Sequence, residues 1–245
     1  VLALEPLLDD LGVQEAENLQ VLQDLAARID QDATAAGQPA PGYAAHLVEG
    51  NAAAGQFVFV ALAFGALEYG FMTDDFSIQF VAAHSNSELP GFYKFTAAWG
   101  GHEGSMLFWI AVLATCTMAV AAGSRSQPPE FVSRVLGVLG IVSTGIIAFA
   151  LLTSNPFLRL TPAAADGNDL NPLLQDPGMV FHPPMLYLGY VGFSVPFAFA
   201  MAALITRWKS EYWIAHIRRW ALIAWGFLTT GIILGGWWAY YELGW

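Results

Sequence analysis

The sequence predicts an all-α fold, a multi-pass transmembrane helical bundle with long extracytoplasmic loops. Three observations predict it. The chain is 56% hydrophobic and only 12% charged, with a mean hydropathy of +0.50, far to the apolar side of an ordinary soluble domain. Apolar runs at 52–72, 105–122, 131–153, 185–205 and 220–240 each approach the roughly 20 residues that cross a bilayer. These runs are too long and continuous for barrel strands, and lipid-exposed backbone must satisfy its own hydrogen bonds, which a helix does.

The elements follow in order. Residues 1–51 form an acidic N-terminal segment and linker, with nine carboxylates against the single Arg28. Leu8, Leu11, Leu22, Leu25 and Ile29 recur at helical spacing and predict an amphipathic helix over 2–30. Residues 31–51, rich in Ala, Gly, Pro and Gln, read as a linker. No basic and then apolar leader is readable at the start, and the chain reads as part of a longer one. Residues 52–245 then form the transmembrane domain. Glu68 lies near the C-terminal end of the first span and is expected to snorkel in a structural role. Cys116, the one cysteine, excludes a disulfide within the chain and reads as a small core or lipid-facing residue.

The connections are of two kinds. Residues 123–130 carry Arg125, with Arg134 just inside the next span, and 206–219 carry Arg207, Lys209, Arg218 and Arg219. Residues 73–104 and 154–184 hold only Lys94 and Arg159 as cations. The excess of Lys and Arg places the short links in the cytoplasm and the two long loops outside, together with the aromatic C-terminal end. Loops of this length rich in Trp, Phe, Pro and Gly are expected to be ordered and functional. The net charge of -11 and pI near 4.6 argue against a nucleic-acid partner, since no basic stripe is present to neutralise phosphates. Membrane lipid is the expected surrounding.

Chemistry-bearing residues cluster in the outward parts. His182 lies in Leu170-Asn-Pro-Leu-Leu-Gln-Asp-Pro-Gly-Met-Val-Phe-His182-Pro-Pro184, read as a proline-stiffened loop. An imidazole held there is a candidate ligand for a metal or haem iron, and the plain alternative is a surface histidine in a turn. Asp166, Asp169 and Asp176 flank it; they either orient the ring or form turns. His102, in Trp99-Gly-Gly-His102-Glu-Gly-Ser105, is a second candidate for binding iron or carrying a proton. The alternative is that Glu103 and Ser105 merely start a helix. Trp99, Trp237, Trp238 and Trp245 offer flat apolar faces suited to a porphyrin, or else an interfacial aromatic belt. His46, His84 and His216 lack a comparable setting. No Walker loop, nucleophile elbow, zinc-protease helix or EF-hand loop is present in the sequence.

Several of these runs occur together: Thr73-Asp-Asp-Phe-Ser77, Asn86-Ser-Glu-Leu-Pro90, the Trp99 to Ser105 motif, Thr153-Ser-Asn-Pro-Phe157, Asp169-Leu-Asn-Pro-Leu-Leu-Gln-Asp176 with Phe181-His-Pro-Pro184, and Trp238-Ala-Tyr-Tyr-Glu-Leu-Gly-Trp245. From about residue 55 to 245 the chain resembles the CcmF/NrfE family, the haem lyase subunits of bacterial cytochrome c maturation. The resemblance implies a multi-pass protein of the bacterial cytoplasmic (inner) membrane with its working side in the periplasm. It implies that haem is taken from the membrane-anchored haem chaperone CcmE. With CcmH and CcmI, the haem vinyl groups are then joined to the thiols of a Cys-x-x-Cys-His motif in apocytochrome c. It also implies that His182 is one of two external ligands to that haem. In the family a tryptophan-rich platform follows the segment matching Trp245. The second external histidine and the two transmembrane histidines that hold a resident b-type haem lie further on. An additional N-terminal transmembrane helix is usual. The expected function is therefore haem positioning for thioether attachment, with His182 on the iron and Trp99, His102, Trp237, Trp238 and Trp245 around the haem. The alternative is a scaffold that docks the chaperone and apocytochrome without touching iron.

Overall fold

The computed structural model describes residues 43–124, 127–207 and 212–244. Among them the helices are α1 (Tyr43–Met72), α2 (Gln79–His84), α3 (Gly91–Ala97), α4 (His102–Gly123), α5 (Pro129–Thr153), α6 (Pro177–Gly192), α7 (Ser194–Thr206) and α8 (Tyr212–Leu243). Five stretches are long and apolar enough to cross a membrane: Ala45–Met72, His102–Gly123, Pro129–Thr153, Pro177–Thr206 and Trp213–Glu242. All five expected spans are present, so the chain is a multi-pass helical membrane protein. The expected amphipathic helix over 2–30, Arg125, Lys209 and Trp245 lie outside the described residues.

Helix ends depart from expectation for identifiable reasons. α1 continues back to Tyr43 through residues read as linker, because the alanine-rich run there is a good helix former. α5 starts at Pro129, where the missing proline N–H costs nothing. The fourth pass is broken at Phe193, since Pro196 brings no N–H for the Gly192 carbonyl one turn back. Within the spans, Thr115, Thr117, Thr144, Thr206 and Thr230 each donate to the carbonyl four residues earlier, which removes a free hydroxyl from an apolar setting. Glu68 does not snorkel: both carboxylate oxygens are buried, with no hydrogen-bond partner among the described residues.

Two apolar cores hold the molecule. One lies in the bundle, where Leu113, Val120, Phe131, Val135, Leu139, Val191 and Phe199 are fully enclosed between α4, α5, α6 and α7. The other lies at the loop-bearing end and joins Leu67 and Phe71 of α1 to Phe80 and Val81 of α2, Trp99, Leu107 and Leu170. Each large apolar side chain taken from water in this second core contributes about 1.5–3 kcal/mol. The long loops are therefore ordered, as expected, and the first also folds into α2 and α3.

The two loops are stitched to each other. Gln79 N–H donates to the Leu158 carbonyl (2.8 Å), Leu160 N–H to Ser77 (2.8 Å) and Asn168 N–H to Ala82 (2.7 Å). Their only cations face adjacent carboxylates: Lys94 Nζ donates to both oxygens of Asp74 (2.6 and 2.7 Å), and Arg159 to Asp75 (2.9 Å) and the Ser77 hydroxyl. Lys94 is 8% exposed. Asp166 reaches across to the Ser87 amide (3.0 Å) and hydroxyl (2.9 Å). The Ser87 contacts hold the Asp166 carboxyl below the usual carboxylate range. The Ser77 hydroxyl does the same for Asp75, helped by Arg159 and opposed by partial desolvation.

Replacing Lys94 with Met strips the partner from a half-buried carboxylate and is expected to cost about 1–3 kcal/mol. Adding Asp74→Asn should recover part of this. A thermal midpoint unchanged by Lys94→Met would refute the contribution. For Asp75 and Asp166 the folded-state affinity for a proton is lowered. Their contribution is therefore complete above about pH 4 and vanishes as pH falls through the lower folded-state range. Amide protection factors, taken relative to the intrinsic exchange rate at each pH, should fall on acidification in residues 75–78, 86–88 and 166–168, and Asp166→Asn should flatten the response near Ser87. Flat protection across that acid range in the unsubstituted protein would contradict the assignment.

Candidate functional site

His182 lies on a helix, and the loop expected there ends earlier. Asn171 caps the short 3-10 turn Pro172–Leu174 by accepting the Leu173 N–H (3.1 Å). The Gln175 amide closes the turn by donating to the Leu170 carbonyl (2.9 Å) and to Asp169 (3.2 Å). Asp176 then starts α6 by accepting the Gly178 N–H (2.6 Å), with Pro177 in the first helical position, a strong start signal. Pro183 and Pro184 sit inside α6 without ending it. Asp169 and Asp176 thus build the turn and the cap, Asp166 joins the loops, and none of the three orients the imidazole.

That orientation comes from α8. His182 Nδ1 lies 2.8 Å from the Gly231 carbonyl oxygen. A carbonyl only accepts, so Nδ1 carries the proton and Nε2 of the neutral ring keeps its lone pair. The ring fits because position 235 is glycine: a Cβ there would overlap it. The contact repeats along the helix pair. A Cβ at Gly231 would stand 2.7 Å from the Leu186 nitrogen, one at Gly189 would meet the Leu228 backbone, and one at Gly192 would press on Ala224 at 3.2 Å. Glycines on both helices let α6 and α8 pack backbone against backbone.

Trp238 completes the wall. Its ring centroid is 5.9 Å from that of His182 at an interplanar angle of 49°, and it packs over Gly178. Its indole N–H is buried without a hydrogen-bond partner among the described residues. The enclosed space is an open cavity of about 460 Å³ lined by Asn171, Leu173, Leu186, His182, Ile232, Gly235, Trp238 and Glu242, among others. Apolar walls, one imidazole with an available lone pair and an indole are a donor set suited to a flat apolar ring carrying a metal.

The other expected site residues separate. Trp237 is 53% exposed and meets Tyr241 at 5.1 Å on the outer face of α8. Trp99 is buried in the loop-end core, 6% exposed, stacked on Phe108 at 5.3 Å and meeting Phe95 edge-on. His102 opens α4, and its Nε2 lies 2.8 Å from the Ser154 hydroxyl at the end of α5. It borders a different cavity of about 430 Å³ with Ser105, Trp109, Tyr187 and Tyr190. Among the described residues of the expected set, only His182 and Trp238 share this cavity. Reasoning from the sequence missed Gly231 and Gly235, although Gly231-Ile-Ile-Leu-Gly235 is a small-xxx-small pattern in an apolar helix that signals close packing.

The comparisons agree with this architecture. The sequence profile of the family described as cytochrome C assembly protein matches residues 99–245. The cytochrome c-type biogenesis protein CcmF of Pseudomonas aeruginosa is 57% identical over 195 residues, covering 79% of this chain and 30% of that protein. The protein of the same name in Escherichia coli is 52% identical over 190 residues, 77% of this chain and 29% of that one. NrfE of Haemophilus influenzae is 52% identical over 184 residues, 75% and 29% respectively. A solved structure titled cytochrome c heme lyase CcmF superposes with a TM-score of 0.63 at 32% identity, covering 75% of this chain and 28% of that one. The chain thus spans about three tenths of the length of the curated relatives it matches. With the profile running through both the Trp99 motif and the His182 cavity, the chain belongs to the cytochrome c assembly protein family.

Proposed function

We propose that this chain holds haem as a cargo on the periplasmic side of the bacterial inner membrane and positions it for thioether attachment to apocytochrome c, as part of a haem lyase. The single observation that carries the reading is the His182 imidazole, which lines a largely apolar cavity and whose Nδ1 is taken up by the Gly231 carbonyl, leaving Nε2 as the nitrogen to serve as ligand. In this reading the haem-handling domain takes in residues 52–245 together with the first turns of α1 from Tyr43, and the acidic sequence ahead of Tyr43 is given no part in haem handling. The partners are the haem chaperone CcmE, which supplies haem, together with CcmH, CcmI and apocytochrome c. The names of the relatives support the haem lyase role in cytochrome c biogenesis. The charge distribution supports the orientation, since Arg134, Arg207, Arg218 and Arg219 stand toward the short links. At the other end Lys94 and Arg159 are both engaged by carboxylates.

The chemistry asks little acid or base from the protein. Each thiol adds across a vinyl group: sulfur bonds to one carbon, the thiol proton ends on the other, and no net oxidation occurs. What the chain supplies is a fixed ring. In this reading His182 holds the iron, Trp238 covers one side of the ring, and Leu173, Leu186 and Ile232 exclude water. Trp237 lies just outside, on the outer face of α8. His102 and Trp99 support the site through the loop-end packing and make no direct contact with the ring.

Replacing His182 with Ala is expected to remove most of the haem that co-purifies with the protein and to abolish cytochrome c assembly in cells. Undiminished haem and assembly would sink the ligand role and favour a scaffold that docks chaperone and apocytochrome. Gly235→Val, which fills the space of the imidazole, should weaken haem binding about 10- to 100-fold while helicity by circular dichroism is retained. Wild-type haem affinity in that variant would show that the observed ring position is not the binding one.

A further inference from the structure

Trp99 is the buried centre of the motif that precedes α4, and its one polar atom points at α6. The indole N–H donates to the Met179 carbonyl at 3.0 Å, across 80 residues of chain. That carbonyl is special for a covalent reason. In an α-helix it would accept from the N–H of residue 183, and residue 183 is proline, which has none. Met179 is 3% exposed, so water cannot easily replace the missing donor, and a buried carbonyl without one is costly.

We propose that Trp99 is a positioning residue for His182: its indole replaces the hydrogen bond that Pro183 removes and so holds the turn of α6 that carries the imidazole. This rests on the reading of His182 as haem ligand. The indole is itself held on every side. Ser105 donates to the Trp99 carbonyl (2.9 Å), Phe108 stacks on the ring and Phe95 meets its edge. Phe108 in turn contacts Tyr187 of α6 (5.6 Å). Gly104 passes the Trp99 strand of backbone closely enough that a Cβ would overlap the Ala98 carbonyl. The residues Trp99 to Ser105 thus form a rigid bracket from α4 to the proline-opened turn, three residues ahead of the ligand. His182 is clamped from α8 by Gly231, and its helix start is clamped by Trp99 from the segment that leads into α4.

The test uses the purified protein in detergent and the variants Trp99→Phe, Pro183→Ala and both together. Phe keeps an aromatic ring but removes the N–H together with one of the two fused rings; Pro183→Ala returns the backbone donor, so the double variant separates the lost hydrogen bond from the lost packing. Deuterium exchange of amides 178–182 should rise about 2- to 10-fold in Trp99→Phe, the effect of one buried hydrogen bond. It should return to near the Pro183→Ala level in the double variant, where Trp99 is no longer needed. Titration with haem should show a weakening of the same size in Trp99→Phe, and no further weakening when Trp99→Phe is added to His182→Ala. Unchanged exchange in Trp99→Phe, or equal loss of haem affinity with and without His182, would overturn the proposal. Raised exchange together with haem binding indifferent to His182→Ala would instead overturn the ligand reading, leaving Trp99 as the holder of the turn.

Discussion

One hydrogen bond organises the candidate site, that between the His182 ring and the Gly231 carbonyl. It joins a side chain of α6 to the backbone of α8, where Gly235 clears the space for the imidazole and Gly231 lets the Leu186 backbone come close. Without those glycines the helices would stand further apart and the ring would turn outward. With them, Nδ1 is engaged by the carbonyl and Nε2 is the other nitrogen of the ring. The same pattern is general among metal-binding histidines, where the partner of the second nitrogen decides the tautomer. Here the partner is backbone, which cannot titrate.

The loop-end core performs the second task. It converts the connecting chain of residues 73–101 and 154–176 into a folded layer over one end of the bundle, through Phe71, Phe80, Trp99 and Leu170 inside and the paired Asp74–Lys94 and Asp75–Arg159 contacts around it. The loops need this density, because they carry the caps and turns that start α4 and α6. A floppy layer would leave His182 on a fraying helix end. The layer and the glycine contact therefore address different degrees of freedom of the same residue, one the start of its helix and the other its ring.

Most of the architecture was legible in the sequence, since a span needs only length and apolarity, and the five runs carry both. The boundaries were less so. Asp176-Pro177 is a helix start by composition, yet Pro183-Pro184 reads as a stop, and what keeps α6 going is tertiary packing together with a donor from residue 99, which no local pattern reveals. The site was half legible. His182 and Trp238 were expected and share the cavity, whereas His102 binds Ser154 and Trp99 is in the core. A histidine in a motif does not announce which wall it faces. The Gly231–Gly235 spacing was readable and carried the missing information, because it marks where another backbone comes close.

The seam between α6 and α8 has a consequence for how the protein sits in lipid. Contacts made by backbone and glycine have no rotamers through which one helix might creep along the other, so the seam behaves as a vernier with one setting. The His182 imidazole then has a fixed depth in the frame of the protein. In a thinner or thicker bilayer it is the headgroups that travel along the helix surfaces, while the imidazole keeps its distance from the layer above it.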